Sequence, residues 1–323
     1  MPRVSVIIPT QSRPHLLQRA VESAQQAGLD VEVIVLDDAS TDTTREVCQK
    51  LKGIKYIRLD RNQGVAGARN VGILASLAEY VSFLDDDDQR LPGSLDLQLE
   101  ALAANPEAGF VCGPVLYADE DGHPTGEIAY PKGSDRDVFW EVLEWNFFIL
   151  PVAVVIRKDC FFRVGLFNSR LAGVDDWDLW VRLAELFPVA IVSQPVGIYR
   201  EPTPFSIQGS SNLSPHFFRA ARQQLQHLQL PRSLDASASQ RDAARKRTLN
   251  RYADTLMWKA ARWLPEGAYR FAWMNFWAAL RLSPLRIFRP GPHKLLVKGF
   301  LKRWRNQKEQ GRLSLKSKLI IKP

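Results

Sequence analysis

The first 120 residues alternate short apolar runs, rich in β-branched residues, with stretches long enough to form helices. The apolar runs predict strands at residues 4–8, 31–36, 54–59, 80–84 and 110–116. The stretches between them predict helices at residues 14–27, 41–51, 65–77 and 91–104. Each run is nearly all apolar, as strands are when helices cover both faces of a sheet. The alternation therefore predicts an α/β fold with a mostly parallel central sheet and a ligand site beyond the carboxyl ends of its strands.

Beyond residue 117 the pattern is less regular. An acidic turn at residues 119–124 predicts a hairpin. The other predicted elements are a strand at 152–156, a tryptophan-rich helix at 176–186, strands at 189–192 and 196–199, a polar loop at 201–215, a linker at 232–240 and helices at 242–264 and 267–282. One face of the last helix carries Tyr269, Trp273, Phe276, Trp277 and Leu280. Because an apolar helix face is usually buried, this face is predicted to pack onto the body of the protein.

Composition excludes several classes of protein. With 46% apolar and 24% charged residues, the 323-residue chain can bury a sizeable core. Its three cysteines, Cys48, Cys112 and Cys160, form no Cys-x-x-Cys pair, which argues against a zinc knuckle and fits a reducing compartment. We find no signal sequence and no apolar stretch of membrane-spanning length, and therefore expect a cytoplasmic protein.

The net charge of +8 is concentrated at the end of the chain. Residues 286–323 contain twelve Lys and Arg against one acid and carry +11, whereas the other 285 residues carry −3. If residues 293–308 are helical, basic and apolar side chains fall on separate faces, namely Lys294, Lys298, Lys302 and Arg305 on one and Leu296, Phe300 and Trp304 on the other. This pattern is typical of a helix on an anionic membrane, here the inner face of the plasma membrane, and a solvated tail is the alternative. No nucleic-acid-binding motif accompanies the basic residues, so no nucleic-acid partner is expected.

Four consecutive acids, Asp85-Asp86-Asp87-Asp88, directly follow the fourth predicted strand. Four adjacent carboxylates repel one another unless a cation is close. Their oxygens are suitable ligands for Mg²⁺ or Mn²⁺, which also bridge the phosphates of a nucleotide. A solvated acidic turn before the next helix is the alternative, but the position at a buried strand end favours a metal.

Two further segments lie at the carboxyl ends of predicted strands. Asp37 and Asp38 follow the second strand, where a carboxylate can accept a hydrogen bond from a nucleotide base, and the Ser and Thr after them can cap a helix. Residues 62–72 follow the third strand and combine small residues with Arg69, whose guanidinium matches phosphate oxygens. Small residues also serve helix–sheet packing, so this segment alone is a weak signal.

The last motif is Asp175-Asp176-Trp177, at the start of the tryptophan-rich helix. A carboxylate near an acceptor hydroxyl can take up its proton as a general base. An acid in the first turn of a helix also stabilises the helix dipole. The local sequence does not choose between these roles.

In this order, the motifs resemble glycosyltransferase family 2, whose members have the GT-A fold, over roughly the first two hundred residues. The resemblance implies a donor site at Pro9, Thr10, Asp37, Asp38, Arg69, Asp85 and Asp86. It also implies a divalent metal, Mg²⁺ or Mn²⁺, held by Asp85 and Asp87, and catalytic roles for Asp175 and Asp176, with Asp176 as the base. Many members have a histidine soon after the Tyr-Arg pair, but here Tyr199-Arg200 is followed by no histidine until His216.

The resemblance further implies one inverting transfer of a single sugar from a nucleotide-diphosphate sugar, with a UDP-sugar as the expected donor. The acceptor is expected to be a sugar or lipid-linked hydroxyl in polysaccharide, lipid-linked glycan or glycolipid synthesis. The implied domains are a catalytic domain at 1–230, with a nucleotide-binding half at 1–116 and an acceptor half at 117–230, then a helical region at 231–284 and a basic amphipathic tail at 285–323.

Two alternatives stay open. A non-catalytic nucleotide-sugar-binding module at a membrane would keep the fold without the chemistry. A sugar-1-phosphate nucleotidyltransferase has a related sheet but needs a glycine-rich basic loop after the first strand, and residues 9–13 do not supply one.

Overall fold

The computed structural model describes residues 1–119, 121–131, 136–144, 147, 149–171, 173–200, 225–263 and 269–285. The chain divides into two compact units, Met1–Ser210 with Gln224–Ala244 and Ser211–Gln223 with Arg245–Pro323. The first unit contains both sheets and every predicted site residue. The domain boundaries predicted at residues 116, 230 and 284 stay predictions.

The described strands are β1 (Val4–Thr10), β2 (Val31–Asp37), β3 (Ile54–Arg58), β4 (Tyr80–Phe83), β5 (Gln89–Arg90), β6 (Phe110–Cys112), β7 (Val115–Ala118), β8 (Pro124–Ala129), β9 (Val154–Arg157), β10 (Val189–Ile191) and β11 (Gly197–Arg200). The described α-helices are α1 (Pro14–Gln26), α2 (Thr44–Lys50), α3 (Gly64–Ala75), α4 (Ser94–Ala104), α5 (Phe139–Leu143), α6 (Cys160–Val164), α7 (Asp175–Leu186), α8 (Pro231–Asp235), α9 (Ala238–Trp263) and α10 (Tyr269–Leu282).

The central sheet has seven strands in the order β10-β6-β9-β4-β1-β2-β3. Neighbouring strands of this sheet are parallel, except that β9 runs antiparallel to both β4 and β6. All seven residues of β1 are buried. Val6 and Ile8 belong to a core shared with α1 and α4, whereas Ile7 faces Gly72 of α3. Helices therefore cover both faces, which confirms the predicted mostly parallel α/β architecture.

A second sheet has the order β5-β11-β7-β8, and its β7–β8 pair forms the predicted hairpin. The run at 110–116, predicted as one strand, is divided between β6 and β7 in different sheets. The break falls at Gly113 and Pro114, because proline has no N–H to donate to a neighbouring strand. Gly113 packs closely against Val192, since a Cβ at this position would lie 2.6 Å from Val192 Cγ2. The two sheets meet around the acidic quartet, which separates β4 from β5.

Arg90, two residues after the acidic quartet, is 2% exposed. Its guanidinium donates to the Ser82 hydroxyl, to Gln98 Oε1 at 2.6 Å and to the Val154 carbonyl oxygen at 3.0 Å. Burial lowers the pKa of Arg90 to about 9. These bonds attach the segment after the quartet to β4, α4 and β9, and so fix the direction in which the chain leaves the acids.

The linker predicted at 232–240 is wrong, because α8 and the start of α9 occupy it. Pro231 lies in the first turn of α8, where a missing N–H costs nothing. The Arg232 backbone N–H donates to Glu185 Oε1 at 3.0 Å, and its guanidinium donates to the Ala184 carbonyl oxygen at 3.0 Å and to the Asp137 carboxylate. Polar bonds to Asp137, Ala184 and Glu185 hold this segment, which is why its low apolar content was misleading.

The aromatic face of α10 is also not packed as predicted, since Tyr269, Trp273 and Trp277 are 68%, 59% and 44% exposed. Within the described residues, no helix has both the length and the apolar character needed to cross a bilayer. The predicted loop at 201–215 and the predicted amphipathic helix at 293–308 lie outside the described residues.

The close approach of α3 to β1 gives a double-mutant prediction. Gly72→Ala would place a Cβ 2.4 Å from Ile7 Cγ2. We expect a loss of about 1–2 kcal/mol in the free energy of unfolding, because crowding outweighs the helix propensity of Ala. With Ile7→Ala as the background, the same change should instead raise the free energy of unfolding by about 1 kcal/mol. Urea denaturation of the four proteins tests this, and an equal effect in both backgrounds would contradict the packing.

Candidate functional site

A pocket opens at the carboxyl ends of β1 and β4. Of the residues predicted from the sequence, its wall contains Pro9, Arg69, Asp85, Asp87, Asp175 and Asp176. These residues come from segments more than 160 positions apart in the chain, so the fold brings the acidic quartet and the start of α7 to one place. Four other predicted residues, Thr10, Asp37, Asp38 and Asp86, are buried and do not line this pocket.

The acidic quartet divides into two pairs. Asp85 and Asp87 face the pocket, whereas Asp86 and Asp88 are 0% and 2% exposed. Asp86 accepts a hydrogen bond from the Thr10 hydroxyl at 2.7 Å and is paired with Arg13. Burial raises the pKa of Asp86 to about 7, with Arg13 opposing the shift. One pair therefore anchors the segment in the protein while the other is available to a ligand.

Three arginines, Arg13, Arg69 and Arg200, form ion pairs with acids of the quartet. Arg13, at the start of α1, lies 2.8 Å from Asp87. Arg200, at the end of β11, lies 3.5 Å from Asp87 and donates its backbone N–H to Asp88 at 2.9 Å. Both arginines also line the pocket. Cations from the start of a helix and the end of a strand thus converge on Asp87.

Arg69 connects the quartet to α7. Its side chain is 4% exposed and lies 2.6 Å from Asp85 and 3.4 Å from Asp175. Its guanidinium also lies 5.9 Å from the centre of the Phe83 ring and 5.4 Å from that of Phe167. Burial alone would lower the pKa of Arg69, but Asp85 and Asp175 raise it above its usual value. The buried cation is therefore permanent, and it holds two acids from different segments at one point.

The neighbouring Asn70 fixes the chain that leads into α7. Its amide nitrogen donates to the Phe167 carbonyl oxygen, and its amide oxygen accepts from the Phe167 N–H, both at 2.9 Å. Two hydrogen bonds to the backbone of one residue, one donated and one accepted, set both the position and the orientation of that backbone. Arg69 and Asn70 together place the start of α7 beside the acidic quartet.

The two acids at the start of α7 have different surroundings. Asp175 Oδ1 accepts a hydrogen bond from the Gly173 N–H at 3.1 Å, while its Oδ2 faces Arg69. Asp176 Oδ1 accepts from the Trp177 N–H at 2.8 Å. Burial and the nearby Asp175 raise the pKa of Asp176 to about 7, with Arg69 opposing the shift. Asp175 is therefore a structural partner of Arg69, and Asp176 lines the pocket with a pKa suited to proton transfer near neutral pH.

A second anchor holds the middle of α7. Asp178 accepts two bonds from Arg182, at 3.0 and 2.6 Å, and Arg182 also donates to the Leu166 carbonyl oxygen at 2.9 Å. His227 Nε2 lies 2.9 Å from the other Asp178 oxygen. The helix that carries Asp176 is thus tied to the segment before it and to the short 3-10 helix Leu225–Gln229.

Asp37 and Asp38 organise the loops beside the pocket. Asp37 accepts from the Ser40 N–H at 2.8 Å and the Tyr56 hydroxyl at 2.7 Å, and these bonds lower its pKa despite burial. Asp38 accepts from the Gln63 N–H at 2.7 Å, which joins the turn after β2 to the start of α3. The predicted contact of these carboxylates with a nucleotide base stays a prediction.

The donor set at the quartet fits a hard divalent cation. Asp85 and Asp87 offer carboxylate oxygens with side chains 32% and 16% exposed. Among the described residues, three possible ligand atoms lie within 4.8 Å of one another at Asp119, Asp121 and His123, in the exposed hairpin turn, and not at the quartet. Mg²⁺ commonly uses one or two carboxylates and takes its other ligands from substrate phosphates and water. The quartet therefore fits a cation that shares its coordination with a diphosphate.

Comparison with known proteins identifies the family. Residues 5–170, just over half of the chain, match the family model described as Glycosyl transferase family 2. The chain belongs to glycosyltransferase family 2. This membership confirms the resemblance indicated by the sequence motifs and the enzyme class that accompanies it.

Relatives in this family differ in length. A GalNAc(5)-diNAcBac-PP-undecaprenol beta-1,3-glucosyltransferase of Campylobacter jejuni is 39% identical over 193 residues, which cover 57% of this chain and 60% of that protein. An uncharacterized glycosyltransferase of Rickettsia felis is 27% identical over 226 residues, which cover 65% of this chain and 34% of that protein. The chain thus spans less than two thirds of the length of these curated relatives.

Solved structures share the fold at low sequence identity. S. aureus TarS has a TM-score of 0.61 and 18% identity, covering 94% of this chain and 54% of that one. TarS 1-349 in complex with UDP-GlcNAc has a TM-score of 0.56 and 15% identity, covering 88% of this chain and 91% of that one. These matches confirm the predicted GT-A fold with a C-terminal helical extension.

Several residues at this family 2 pocket were missed by sequence reasoning. Arg13, Arg200 and Asn70 were not predicted as site residues, although all three hold the acids or the chain that carries them. Four adjacent acids require nearby cations. A search for arginines next to other strand ends, such as Arg13 after β1 and Arg200 at the end of β11, could have found two of these residues.

Arg69 should be essential for stability. Arg69→Met leaves Asp85 and Asp175 without their buried cation, and we expect a loss of about 3–5 kcal/mol in the free energy of unfolding. Arg58→Met is the matched control, because Arg58 is 39% exposed and lies 3.4 Å from its partner Asp37. This substitution should lower the free energy of unfolding by no more than about 1 kcal/mol. Denaturant unfolding of both variants measures the difference, and similar losses would argue against Arg69 as the central ion pair.

Proposed function

We propose that this protein transfers one sugar from a nucleotide-diphosphate sugar to an acceptor hydroxyl with inversion at the anomeric carbon. The observation that carries the proposal is the joining of Asp85, Asp87 and Asp176 in one pocket through the Arg69 ion pairs. The pocket thus has carboxylates suited to a metal and diphosphate at one side and a candidate base at the other. Membership of glycosyltransferase family 2 supports the same reaction.

The donor is proposed to be a UDP-sugar. Support comes from the S. aureus TarS structure in complex with UDP-GlcNAc, which has this fold. The pocket arginines Arg13 and Arg200 supply positive charge that a diphosphate can bind. Pro9 and Thr10 end β1 beside this charge, and Asp37 or Asp38 would contact the base.

Asp85 and Asp87 would hold Mg²⁺ or Mn²⁺. Such a cation neutralises negative charge on a diphosphate leaving group when it is bound. Arg69 holds Asp85 in place, and Arg13 and Arg200 do the same for Asp87. The two buried acids, Asp86 and Asp88, fix the backbone between them and stay out of the pocket.

Asp176 would take the proton of the acceptor hydroxyl. A general base must be ionised to accept a proton, and its efficiency is greatest when its pKa is near the working pH. Burial raises the pKa of Asp176 most, the charge of Asp175 adds to the rise, and Arg69 opposes it. Asp175 would hold Arg69 and the start of the helix, which makes it a positioning residue.

The acceptor is proposed to be lipid-linked. The Campylobacter jejuni relative, which is 39% identical, is named for a PP-undecaprenol-linked acceptor. Residues 286–323 carry +11, which would attract an anionic membrane surface. A protein held at the cytoplasmic face in this way would meet both a nucleotide sugar and a lipid-linked acceptor.

Asp87→Ala should abolish metal-dependent donor binding. Isothermal titration with UDP, with and without Mn²⁺, is expected to show that Mn²⁺ strengthens binding to the wild-type protein at least about tenfold and leaves the variant unaffected. Asp242→Ala is the matched control, since Asp242 is an exposed acid of α9 outside the pocket. Unchanged Mn²⁺ dependence in Asp87→Ala would refute the metal assignment.

A panel of nucleotide sugars, each tested for hydrolysis by the wild-type protein, identifies the donor.

Asp176→Asn should slow transfer and leave donor binding intact. We expect kcat to fall at least about a hundredfold, the low end for losing a general base. The pKa of Asp176 is raised to about 7 and its ionised form is the active one. The wild-type kcat should therefore fall as the pH decreases below about 7, level off above it, and show no such change in the variant.

Two outcomes would count against this role. A wild-type kcat that stays constant between pH 5 and about 9 would exclude a base with this pKa. Weaker donor binding with a normal kcat in Asp176→Asn would place the residue at the donor instead. Asp242→Asn, at an exposed acid of α9, controls for the substitution itself. If donor binds but no sugar is transferred or hydrolysed, the protein is a nucleotide-sugar-binding module.

A further inference from the structure

Helix α10 exposes three of its five aromatic residues and buries small or polar ones. Its buried residues are Ala272, Asn275 and Ala279. Tyr269, Trp273 and Trp277 are 68%, 59% and 44% exposed. A helix of a globular protein normally does the opposite and turns large apolar side chains inward. The arrangement leaves a face of large apolar side chains in contact with solvent.

The exposed residues form one continuous stripe. Tyr269, Trp273 and Trp277 are spaced four residues apart, so they lie on one side of the helix over about 12 Å. The Trp273 and Trp277 rings are 5.6 Å apart and nearly perpendicular, and the Trp273 ring stacks on Phe276. The rings are therefore held against one another and present a pre-formed apolar surface. Scattered single aromatic residues would need no explanation, but a contiguous stripe indicates a binding surface.

Arginines border the stripe. Arg270 lies beside its first residue and Arg281 is one turn beyond its last, and both side chains are exposed. Successive residues of an α-helix are separated by 100°, so both arginines project on the same exposed side as the tryptophans. The described helix has no acidic residue. The chain that follows adds the +11 of residues 286–323.

We propose that the aromatic stripe of α10, defined by Tyr269, Trp273 and Trp277, docks on the interface of an anionic lipid bilayer. Trp and Tyr prefer the level of the lipid headgroups, where the ring is apolar and the N–H or O–H stays hydrated. Arginines beside them pair with lipid phosphates. The inference deepens the proposed function and rests on it for the lipid-linked acceptor, but its evidence comes from a different unit of the chain.

Charge favours lipid over a second copy of the protein. Two copies meeting through this stripe would bring Arg270 and Arg281 and their basic chain ends together, with no acid on the helix to offset them. A lipid surface carries the opposite charge and gains from both the rings and the arginines. The stripe is also convex, as a helix side is, and suits a deformable interface better than a rigid pocket.

The test is vesicle binding by the full-length protein. Wild type and Trp273→Ala/Trp277→Ala are sedimented with vesicles of phosphatidylglycerol and phosphatidylcholine in equal parts. The double variant should bind at least about tenfold more weakly, and most of the loss should persist in about 1 M salt, where charge attraction is screened. Both side chains are exposed, so folding should be preserved, and circular dichroism checks this. Quenching of wild-type tryptophan emission by brominated lipid should also be lost.

Two further variants give contrast. Phe162→Ala removes an aromatic residue of α6 that is 90% exposed and should leave vesicle binding unchanged. Replacing Lys294, Lys298, Lys302 and Arg305 by Gln should weaken binding at low salt but not the part that resists salt. The stripe and the basic tail therefore have separate signatures.

Equal vesicle binding by wild type and Trp273→Ala/Trp277→Ala would overturn the proposal. A concentration-dependent dimer of wild type that the double variant cannot form would overturn it in favour of a second copy. Nucleotide-sugar hydrolysis without vesicles should be the same in both proteins. If wild type shows no hydrolysis but binds vesicles through the stripe, the proposed function fails while this inference stands.

Discussion

A single buried cation determines the geometry of the active-site region. Arg69 is almost fully buried and is paired with Asp85, which follows β4, and with Asp175, which begins α7. Burying a cation is unfavourable unless its partners compensate for the lost hydration, so neither acid can move away without a large cost. The rings of Phe83 and Phe167 enclose the guanidinium. A pair of segments distant in sequence is thereby held at one fixed separation, which is what a transfer reaction between two substrates requires.

The acidic quartet shows how one run of identical residues serves two purposes. The quartet forms a turn, in which the Asp88 N–H donates to the Asp85 carbonyl oxygen at 3.0 Å, and this turn places Asp86 and Asp88 inward and Asp85 and Asp87 at the pocket. The inward pair is held by Thr10, Arg13 and the Arg200 backbone, and burial raises the pKa values of both acids. Repulsion among the four carboxylates is reduced further by the arginines that pair with the two pocket-facing acids, Arg69 with Asp85 and Arg13 and Arg200 with Asp87. The anchored pair therefore makes it possible to expose the other.

Sequence reasoning recovered β1 to β4 and α1 to α4 in order, because each of these strands is a nearly continuous apolar run. It did not predict β5, α5 or α6, which are only two to five residues long. It also indicated the acids of the pocket, since Asp85 and Asp87 follow a strand and Asp175 and Asp176 begin a helix. It did not find Arg13, Arg200 or Asn70, because a long polar side chain can reach several partners and only the fold decides which one it meets. It failed at residues 232–240 and at the stripe of α10 for a related reason, since apolar content does not predict segments held by polar bonds or faces left open to solvent.

The residues on either side of the segment 201–224 are bound to acids of the first unit. On one side Arg200 is bound to Asp87 and Asp88, and on the other His227 contacts Asp178 in the helix that carries Asp176. These contacts therefore contribute to the positions of the pocket carboxylates, Arg200 directly through Asp87 and His227 through the helix that carries Asp176. A substitution at either residue would be transmitted to an acid of the pocket. The two attachment points are thus more sensitive to change than their places outside the acidic motifs suggest.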